Sequence, residues 1–580
     1  MSHTPFSFAR LKRNLKRDYS AFPPVRLAIL GDSPTQLLHQ ALRGHGFEVG
    51  LEYRIFEADI DQIERQILDP SSDLYAFRPE VVLVFESTRK LHERFARSDP
   101  GARTDLAASR LARARHLVER LDAGLRCHTL WCNYPETGED VFGSFANKTQ
   151  ASFTCQLRKL NVDLMTLSQE VKSLFVCDLA ALQSALGAAR TGAPATYVTT
   201  GIVFDVEHWA LFAARVTDMV LSLRGVLKKC LVLDLDNTLW GGVIGDDGLE
   251  GIQLGELGLG RAFTEVQLWA KLLKDRGVIL AVCSKNDEAV AREPFEKHPD
   301  MVLRLADVAM FVANWENKVD NLRHIQRALD IGMDSIVFVD DNPFERGMVK
   351  GAIPALCVPE LPEDPAEYAP YLQSLNLFET ASFSAEDHER TRRYQDEAAR
   401  ATLQRSFASE DEYLESLGMV SAARPFDDFS APRVAQLTQR SNQFNLRTVR
   451  YTEGDVARLR GDAEILGLSW NLRDRLGDHG LVSVVILRVT APDTAFVDTW
   501  LMSCRVLKRG MERFVLNGVV AAARARGLAR VVGEYLPTAK NGMVKDHYPR
   551  LGFQPKGARW ELCVETFEPF PVHIRDEGAP

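Results

Sequence analysis

The sequence lacks the excess of basic residues expected of a nucleic-acid-binding protein, since 70 lysines and arginines face 79 aspartates and glutamates. It lacks an apolar run long enough to span a bilayer, and the basic stretch 10–17 is not followed by the apolar core of a signal peptide. Its nine cysteines show no paired short spacing. We therefore expect reduced thiols, a cytoplasmic location, and no nucleic-acid or membrane partner.

An apolar run that ends in two acids is the most informative feature that the sequence does contain. The leucines and valine that begin at Leu231 predict a strand buried on both faces, and Asp234 and Asp236 follow it. Such a strand end is where an open α/β sheet presents groups to a ligand. Two carboxylates this close repel each other unless a cation lies between them, and an oxygen site suits Mg²⁺. The alternative is a strand end that aspartate merely caps.

Three later segments bring further polar groups to the ends of predicted elements. Ser284 ends a second apolar run, and Lys318 precedes a helical pattern. Asp340 and Asp341 end a third apolar run that begins at Ile336. Strands that alternate with helices predict a parallel sheet, and all these groups would meet at its C-terminal edge. Positioning and charge neutralisation are most of what phosphoryl transfer requires, so the pattern indicates a phosphoryl-transfer site.

The order Asp-x-Asp, Ser, Lys and Asp-Asp resembles that of the haloacid dehalogenase (HAD) superfamily of phosphatases. The resemblance implies that Asp234 attacks phosphorus, while Asp236 protonates the leaving oxygen and then deprotonates the hydrolytic water. It implies that Ser284 donates to a phosphoryl oxygen and that Lys318 neutralises the charge of the transition state. The implied Mg²⁺ ligands are Asp234, Asp236 through its backbone carbonyl, Asp341 and the neighbouring Asp340.

Four segments further resemble the FkbH-like family. They are Trp240-Gly-Gly-Val-Ile-Gly-Asp-Asp-Gly248, Cys283-Ser-Lys-Asn-Asp287, Asn314-Trp-Glu-Asn-Lys318 and Asp340-Asp-Asn-Pro-Phe-Glu-Arg346. Members of this family load a glyceryl unit from 1,3-bisphosphoglycerate onto an acyl carrier protein and remove its phosphate. The resemblance implies Mg²⁺ as cofactor, 1,3-bisphosphoglycerate as substrate, and a carrier protein on a separate chain as partner. The candidate substrate-binding residues are Trp240, Lys285 and Asn286.

Cys283 directly precedes Ser284, and two interpretations of it stay open. Adjacent strand residues point to opposite faces, so a Ser284 that faces the ligand would leave Cys283 in the core. Alternatively, Cys283 carries a transient acyl thioester, because Lys285 and Mg²⁺ would lower the pKa of its thiol. Cys504 is the alternative carrier, and direct attack by the pantetheine thiol is the third route.

The N-terminal part contains a Gly-Asp-Ser turn at 31–33 after a predicted strand, and a late Asp-x-x-His at 205–208. This layout resembles that of SGNH hydrolases, in which the serine attacks and the histidine is its base. Ser33, Asp205 and His208 would then form a triad. The glycine and asparagine of the oxyanion hole are missing, and a scaffold or partner-binding role is the alternative.

The C-terminal part resembles GNAT acyltransferases, in which a glycine-rich turn binds the pyrophosphate of coenzyme A on backbone amides. The resemblance is carried by alternating strands, the turn 505–510 and the segment 548–553. Lys508 replaces the first glycine of the turn, so the turn would instead bind the phosphate of a carrier protein's pantetheine arm. The candidate docking residues are Arg505, Lys508, Arg509 and Tyr548. A GNAT fold kept for packing and docking is the alternative.

A chain of 580 residues is too long for one core. We predict an α/β protein of three domains: SGNH-like over 1–218, HAD-like over 219–375 with a Rossmann-like parallel sheet and no large cap, and a GNAT-like α+β domain over 411–580. Residues 376–410 are predicted to form a linking helix. The predicted function is Mg²⁺-dependent glyceryl transfer and dephosphorylation in polyketide or related secondary-metabolite biosynthesis. A plain small-molecule phosphatase and a non-catalytic docking protein are the two alternatives.

Overall fold

The computed structural model describes residues 6–138, 141–187, 192, 194–383, 409–441, 443–475, 477–503, 506–507, 509–538 and 540–578. The chain forms two compact units, Met1–Leu221 and Ser222–Pro580. Among the described residues, no helix combines the length and apolar character that a membrane crossing requires. Most of the predicted linking helix lies outside the described residues, and the three predicted domain boundaries stay predictions.

The first unit contains a five-stranded sheet in which all neighbouring strands are parallel, in the order β2-β1-β3-β4-β5. Its strands are β1 (Pro24–Gly31), β2 (Glu52–Glu57), β3 (Val81–Phe85), β4 (His128–Cys132) and β5 (Leu174–Cys177). Its α-helices are α1 (Phe8–Asn14), α2 (Gln36–Val49), α3 (Ile63–Leu68), α4 (Asp73–Phe77), α5 (Thr88–Arg97), α6 (Leu106–Leu125), α7 (Phe153–Glu170), α8 (Leu179–Leu186), α9 (Pro194–Thr200) and α10 (Val206–Leu223).

Burial explains why this sheet forms. Every residue of β3 is buried, as expected for a central parallel strand that helices cover on both faces. Helix α7 begins where the Ser152 hydroxyl accepts the Cys155 N–H, and its apolar face packs into the same core as β3 and α6. The sheet therefore presents its C-terminal edge, and not its faces, to ligands.

The second unit begins with a four-stranded parallel sheet in the order β8-β7-β6-β9. Its strands are β6 (Cys230–Leu233), β7 (Ile279–Ser284), β8 (Val308–Ala313) and β9 (Ile336–Val339). The α-helices around it are α11 (Ile244–Gly251), α12 (Gly260–Asp275), α13 (Glu288–Lys297), α14 (Lys318–Ala328), α15 (Pro343–Ala352) and α16 (Tyr368–Ser374). Between β6 and β7 the chain forms only the α-helices α11 and α12, so the C-terminal edge carries no inserted domain there.

The same unit also contains a nine-stranded, mostly antiparallel sheet. Its strands are β10 (Val420–Ser421), β11 (Ala423–Pro425), β12 (Ile465–Asp474), β13 (Gly477–Ala491), β14 (Thr494–Met502), β15 (Arg530–Gly533), β16 (Gln554–Lys556), β17 (Arg559–Cys563) and β18 (Arg575–Asp576). The accompanying α-helices are α17 (Glu410–Ser416), α18 (Ala431–Arg440), α19 (Glu453–Gly461), α20 (Met511–Ala525) and α21 (His547–Arg550). The chain is thus a mixed α/β protein with two parallel, Rossmann-like sheets, which confirms the predicted class at that level.

Candidate active site

The four parallel strands of the second unit bring polar groups to one edge of their sheet. Asp234 follows β6, Ser284 ends β7 and Asp340 follows β9. Lys318 is the first residue of α14, because the Asn317 side chain accepts the Val319 N–H and caps the helix there. The edge therefore collects acids from two strand ends, a serine from a third and a lysine from the start of a helix, as predicted from the order of the motifs.

Lys318 lies between two of these acids. Its Nζ is 3.0 Å from Asp234 Oδ2 and 2.7 Å from Asp340 Oδ2, and all three side chains are almost completely buried. The two carboxylates raise the pKa of Lys318 against the effect of its burial, so this lysine stays charged. Burial raises the pKa of Asp340, while Lys318 opposes that change.

Asp234 has one oxygen that no described residue contacts through a hydrogen bond. Lys318 is bound to Oδ2, whereas Oδ1 is buried without a partner among the described residues. Burial raises the pKa of Asp234 to about 6, with a further increase from Asp340, while Lys318 and a hydrogen bond from Ser284 lower it. A buried oxygen without a partner is costly, so a ligand that bound this atom would recover free energy.

Three carboxylates could hold a divalent cation at this edge. Asp234, Asp340 and Asp341 each offer an oxygen, and these atoms all lie within 4.8 Å of one another. Lys318 offsets part of their charge directly, and carboxylate oxygens are the ligands that Mg²⁺ prefers. The unpartnered Oδ1 of Asp234 and the chemistry of this donor set fit such an ion.

Two residues that the sequence analysis missed hold the pair Asp340 and Asp341 in place. Arg346 Nη1 donates to the backbone carbonyls of Asp340, at 2.8 Å, and Asp341, at 2.6 Å. The Thr238 hydroxyl accepts the backbone N–H of Asp341 at 3.1 Å. Arg346 ends the segment 340–346 and Thr238 lies two positions after Asp236, so their closeness to the acids in the sequence was the available signal.

Asp236 is held differently from the other acids. Its Oδ1 accepts the Trp240 indole N–H at 2.8 Å and the backbone N–H of Ile244 at 3.0 Å. Its Oδ2 accepts a hydrogen bond from Asn286 Nδ2 at 2.8 Å. The carboxylate therefore does not belong to the group of three that could hold a metal, and its predicted metal contact through the backbone carbonyl stays a prediction.

These contacts correct the substrate-binding role predicted for two residues. The Trp240 side chain is fully buried in the core of this sheet, where it packs edge-on against Phe295. Asn286 is also buried. Both hold Asp236, because a buried N–H needs an acceptor and the carboxylate supplies it. Lys285 differs from them, since its side chain is 40% exposed and forms an ion pair with Glu345 at 2.5 Å.

The comparisons with known proteins agree with this geometry. A family model described as FkbH, N-terminal domain, matches residues 26–221. A crystal structure of the N-terminal part of the protein BF1531 from Bacteroides fragilis, containing a phosphatase domain and complexed with Mg, is 49% identical. It covers 65% of this chain and 100% of its own, with a TM-score of 0.63. The chain belongs to the FkbH family.

Other likenesses of this FkbH-family chain are weaker. The ribosomal-protein-S18-alanine N-acetyltransferase of Escherichia coli is 17% identical over 25% of this chain and 94% of its own, with a TM-score of 0.20. The GNAT domain of S. lividans PAT is 23% identical over 24% of this chain and 89% of its own, also with a TM-score of 0.20. Such scores decide nothing about the C-terminal fold. A comparison with curated protein sequences found no match.

Cys283 lies on the other face of β7 from the acids. Its side chain is fully buried in an apolar cluster with Val319 and Phe338, and its thiol donates to the Lys318 carbonyl at 3.9 Å. Burial raises the pKa of this thiol to about 12, although the charge of Lys318 lowers it. The acyl-thioester hypothesis for Cys283 stays a prediction, but the geometry favours its alternative, core packing.

The triad predicted in the first unit is not assembled. Both ring nitrogens of His208 are buried without a hydrogen-bond partner among the described residues, and the ring packs on Phe204 with centroids 4.2 Å apart. Ser33 donates to Asp32 Oδ1 at 3.0 Å instead of to the histidine. Asp205 Oδ1 accepts the Glu207 N–H at 3.1 Å. The imidazole is kept in an aromatic environment, and burial lowers its pKa to about 4.

The basic docking surface predicted near the C-terminus also needs correction. Cys504, Arg505 and Lys508 lie outside the described residues. Arg509 is 5% exposed and pairs with Asp474, and Tyr548 is 1% exposed. The two described candidates are therefore interior residues, because an arginine with a buried acidic partner and an aromatic ring in a core are both shielded from a docking protein.

Proposed function

We propose that this FkbH-family protein is a Mg²⁺-dependent phosphatase of HAD type that also transfers the acyl group of its substrate to a thiol. The phosphatase part is carried by the group of Asp234, Asp340 and Asp341, whose oxygens lie within 4.8 Å of one another, with Lys318 bound to Oδ2 of Asp234 and Oδ1 without a partner among the described residues. The Bacteroides fragilis structure with a phosphatase domain and Mg supports it. The FkbH family supports the transfer part.

In the first half of the phosphatase reaction, Asp234 attacks phosphorus and the bond to the leaving oxygen breaks. Lys318 keeps Asp234 ionised and offsets the charge on the transferring group, and Ser284 donates to one of its oxygens. Mg²⁺ held by Asp234, Asp340 and Asp341 would supply further charge neutralisation at the phosphoryl oxygens. Asp236 delivers the proton that the leaving oxygen needs.

In the second half, Asp236 takes a proton from water, which attacks phosphorus and releases Asp234. Three donors hold the Asp236 carboxylate and fix where it stands. Asn286 and Trp240 thus position the acid and base of the reaction without contacting phosphorus.

The proposed substrate is 1,3-bisphosphoglycerate, and the proposed acceptor is the pantetheine thiol of an acyl carrier protein on a separate chain. The acyl phosphate of 1,3-bisphosphoglycerate can react with the thiol. The other phosphate of this substrate, which is an ester, can be hydrolysed at the centre that contains Asp234. The absence of an inserted domain between β6 and β7 supports a partner as bulky as a carrier protein. The proposed setting is polyketide or related secondary-metabolite biosynthesis.

Intact mass spectrometry of candidate carrier proteins tests this proposal. The carrier is incubated with the full chain, Mg²⁺ and 1,3-bisphosphoglycerate, and a gain equal to one glyceryl unit is expected. With Asp234→Asn, the gain should instead equal a phosphoglyceryl unit, because the phosphate ester stays. Release of phosphate with no change in any carrier's mass would support the plain phosphatase.

A further inference from the structure

A cavity of about 910 Å³ lies at the N-terminal edge of the first sheet, opposite the edge that carries Asp32. Its walls come from the start of β1, from α4 and the residues beside it, and from the end of α6. The volume lies within the range of about 300–1,000 Å³ that is usual for small-molecule sites. Ligands of open α/β sheets usually bind at the other edge, so the motifs gave no signal for this cavity.

Three arginines line the cavity, and none of its described lining residues is acidic. Arg26 lies on β1, Arg78 directly follows α4, and Arg126 directly follows α6. Among the described residues, no carboxylate forms an ion pair with any of the three guanidinium groups. A concave wall of one charge sign concentrates ions of the opposite sign. We refer to this site as the three-arginine cavity.

Two acids beside the three-arginine cavity bind other donors. Glu80 Oε1 accepts the backbone N–H of Arg26 at 3.3 Å, and Asp69 Oδ1 accepts the Ser71 hydroxyl at 2.6 Å. The Arg26 guanidinium instead stacks on a ring, with its carbon 4.9 Å from the centroid of Phe77. A stacked guanidinium keeps its N–H groups in its own plane, where they fit a phosphate bidentately. The stacking therefore orients Arg26 without using its donors.

Two of the three arginines have a backbone conformation that arginine rarely adopts. Arg78 has a φ of 52° and Arg126 a φ of 51°, so both lie in the left-handed region. Glycine is the usual residue there, because it has no Cβ to clash. An arginine near the last carbonyls of a helix gains from the helix dipole, but one in the last helical turn gains this without the unusual conformation. The helix ends alone therefore do not explain these arginines.

Tyr75 and Gly124 give the wall of the three-arginine cavity a fixed shape. The Tyr75 hydroxyl donates to the Ile67 carbonyl at 2.8 Å. Its ring lies so close to Gly124 that a Cβ added there would be 2.6 Å from Cε1. A wall that is already ordered lowers the entropic cost of binding a ligand.

We infer that the three-arginine cavity binds a small organic molecule that carries two phosphate groups. Two such groups carry about three to four negative charges near pH 7, which match the three positive charges of the wall. Pro70, Tyr75, Ala76 and Leu125 also line the cavity and suit the organic part of the ligand. The inference goes beyond the proposed function and does not depend on it, because it assigns a ligand to the first unit.

Isothermal titration calorimetry of the full chain tests this inference. The probes are ADP, with two adjacent phosphates, 2,3-bisphosphoglycerate, with two separate phosphates, and pyrophosphate, which has no organic part. EDTA is present so that no Mg²⁺ supports phosphate binding beside Asp234. One of the two organic probes should bind at one site per chain and more tightly than pyrophosphate. The probe that binds shows whether the site takes adjacent or separate phosphates.

The variants Arg78→Gly and Arg126→Gly remove a guanidinium and supply the residue that best tolerates the left-handed backbone. Each should weaken binding about tenfold, as for the loss of a charge-assisted hydrogen bond. Neither should lower the midpoint of urea denaturation. Arg97→Gly is the matched control, because Arg97 is an exposed arginine at the end of α5 that does not line the cavity. It should leave binding unchanged.

Four outcomes would overturn the inference. The first is that the unaltered chain binds neither ADP nor 2,3-bisphosphoglycerate. The second is that binding survives intact in Arg78→Gly and Arg126→Gly, which would place the ligand elsewhere. The third is equal weakening by Arg97→Gly, which would reduce the effect to the total charge of the chain. The fourth is that pyrophosphate binds as tightly as the organic probes, which would exclude an organic ligand. None of them alters the proposed function, whose test is the mass of the carrier protein.

Discussion

Two buried aspartates in this chain occupy equivalent places in two parallel sheets. Asp32 follows β1 in the first unit, and Asp234 follows β6 in the second. Burial raises the pKa of each to about 6, and each has one oxygen without a partner among the described residues. Asp32 and Asp234 thus share a position after a strand, a buried side chain and a raised pKa. None of these three properties alone distinguishes a catalytic aspartate from a structural one.

The neighbours of the two aspartates differ. The Asp32 carboxylate accepts hydrogen bonds from the Ser33 hydroxyl and the Ser87 N–H, and Lys90 donates to its backbone carbonyl. The Asp234 carboxylate itself bonds a lysine and lies near two further carboxylates. Among the described residues, only the set around Asp234 brings three possible metal ligands together. The candidate site is therefore distinguished by its three neighbouring carboxylates and not by the fold, as expected when one architecture serves many functions.

The nearby acid Glu86 shows the opposite arrangement. This carboxylate is buried after β3 and accepts hydrogen bonds from Arg110, from Arg113 at 3.1 Å and from the Tyr134 hydroxyl at 2.8 Å. Two guanidinium groups contact this carboxylate, and Arg113 also pairs with Glu64. Arginines thus neutralise Glu86, whereas the second sheet brings three carboxylates together at one edge.

The largest expected effect is the difference in phosphate release between variants of Asp234 and Asp32. Asp234→Asn keeps the shape of the side chain but removes the charge that attacks phosphorus, so phosphate release should fall by at least about 1,000-fold. Asp32→Asn is the matched control and should leave phosphate release unchanged. A steady-state phosphate assay on both variants checks this. An Asp234→Asn protein of nearly normal activity would remove Asp234 from the mechanism.

A smaller effect is expected from Lys318, which bonds the Asp234 carboxylate directly. Lys318→Met should lower phosphate release about 100-fold to 1,000-fold, as for the loss of one electrostatic contact to the transition state. It should also strengthen Mg²⁺ binding, because Lys318 no longer competes for Asp234 and Asp340. A Mg²⁺ titration of activity measures both quantities. Weaker Mg²⁺ binding would show that Lys318 shapes the metal site instead of competing with it.

The sequence predicted the residues at the strand ends well, because strand ends follow from local apolar runs. The structure has strands before Asp234, Asp340 and the Gly-Asp-Ser turn, and Ser284 ends a strand, as expected. Residues that belong to one motif also lie close together in the structure, as predicted, because few residues separate them in the chain. Convergence at the sheet edge then follows from the parallel topology.

The roles that depend on side-chain burial and packing could not be predicted. The sequence indicated that Arg509 belongs to an exposed basic turn. Its partner Asp474 is 35 positions away, and both residues are buried. Trp240 resembles a substrate contact until its indole is seen to hold Asp236. His208 has the right spacing from Asp205 for a triad, yet its ring packs on Phe204. The spacing of residues in a motif does not give the contacts of their side chains, which depend on how those side chains are buried.

A stability effect is expected at Glu86, where the first sheet balances its charge. Glu86→Gln leaves Arg110 without its carboxylate and removes one of the two carboxylates that pair with Arg113. Both arginines are 15–20% exposed, so water screens part of the loss. The free energy of unfolding should fall by about 1–3 kcal/mol. Urea denaturation, followed by pulsed hydrogen exchange of peptides from β3, measures it.

Glu64 provides the control for that variant, because it pairs with Arg113 while its own side chain is 56% exposed. Glu64→Gln should cost less than about 1 kcal/mol. Phosphate release per folded molecule should be unchanged in both variants. Equal destabilisation by the two substitutions would mean that burial of Glu86 contributes nothing beyond a surface ion pair.

The smallest effect concerns the dependence of the first unit's stability on pH. The pKa of Asp32 is raised to about 6, so the folded protein binds this proton more tightly than the unfolded chain does. Its contribution to stability is complete below about pH 4 and is lost as pH rises through about 6. His208 has the opposite sign, because burial lowers its pKa to about 4 and the folded protein then excludes the proton. Its contribution is complete above about pH 6.5 and is lost as pH falls through about 4.

Between about pH 4 and pH 6, Asp32 and His208 change the free energy of unfolding in opposite directions, each by at most about 1.4 kcal/mol per pH unit. Burial also lowers the pKa of His45 to about 4, so this histidine, like His208, lowers stability as the pH falls. The unaltered unit should therefore lose stability in acid. Asp32→Asn removes the opposing slope and should steepen that loss, whereas His208→Gln should flatten it. Urea denaturation at pH 4.5 and pH 6.5, read from peptides of β1, measures both variants. A flatter profile for Asp32→Asn would mean that its carboxyl is ionised in the folded protein, and the likeness to Asp234 would then end at their positions in the two sheets.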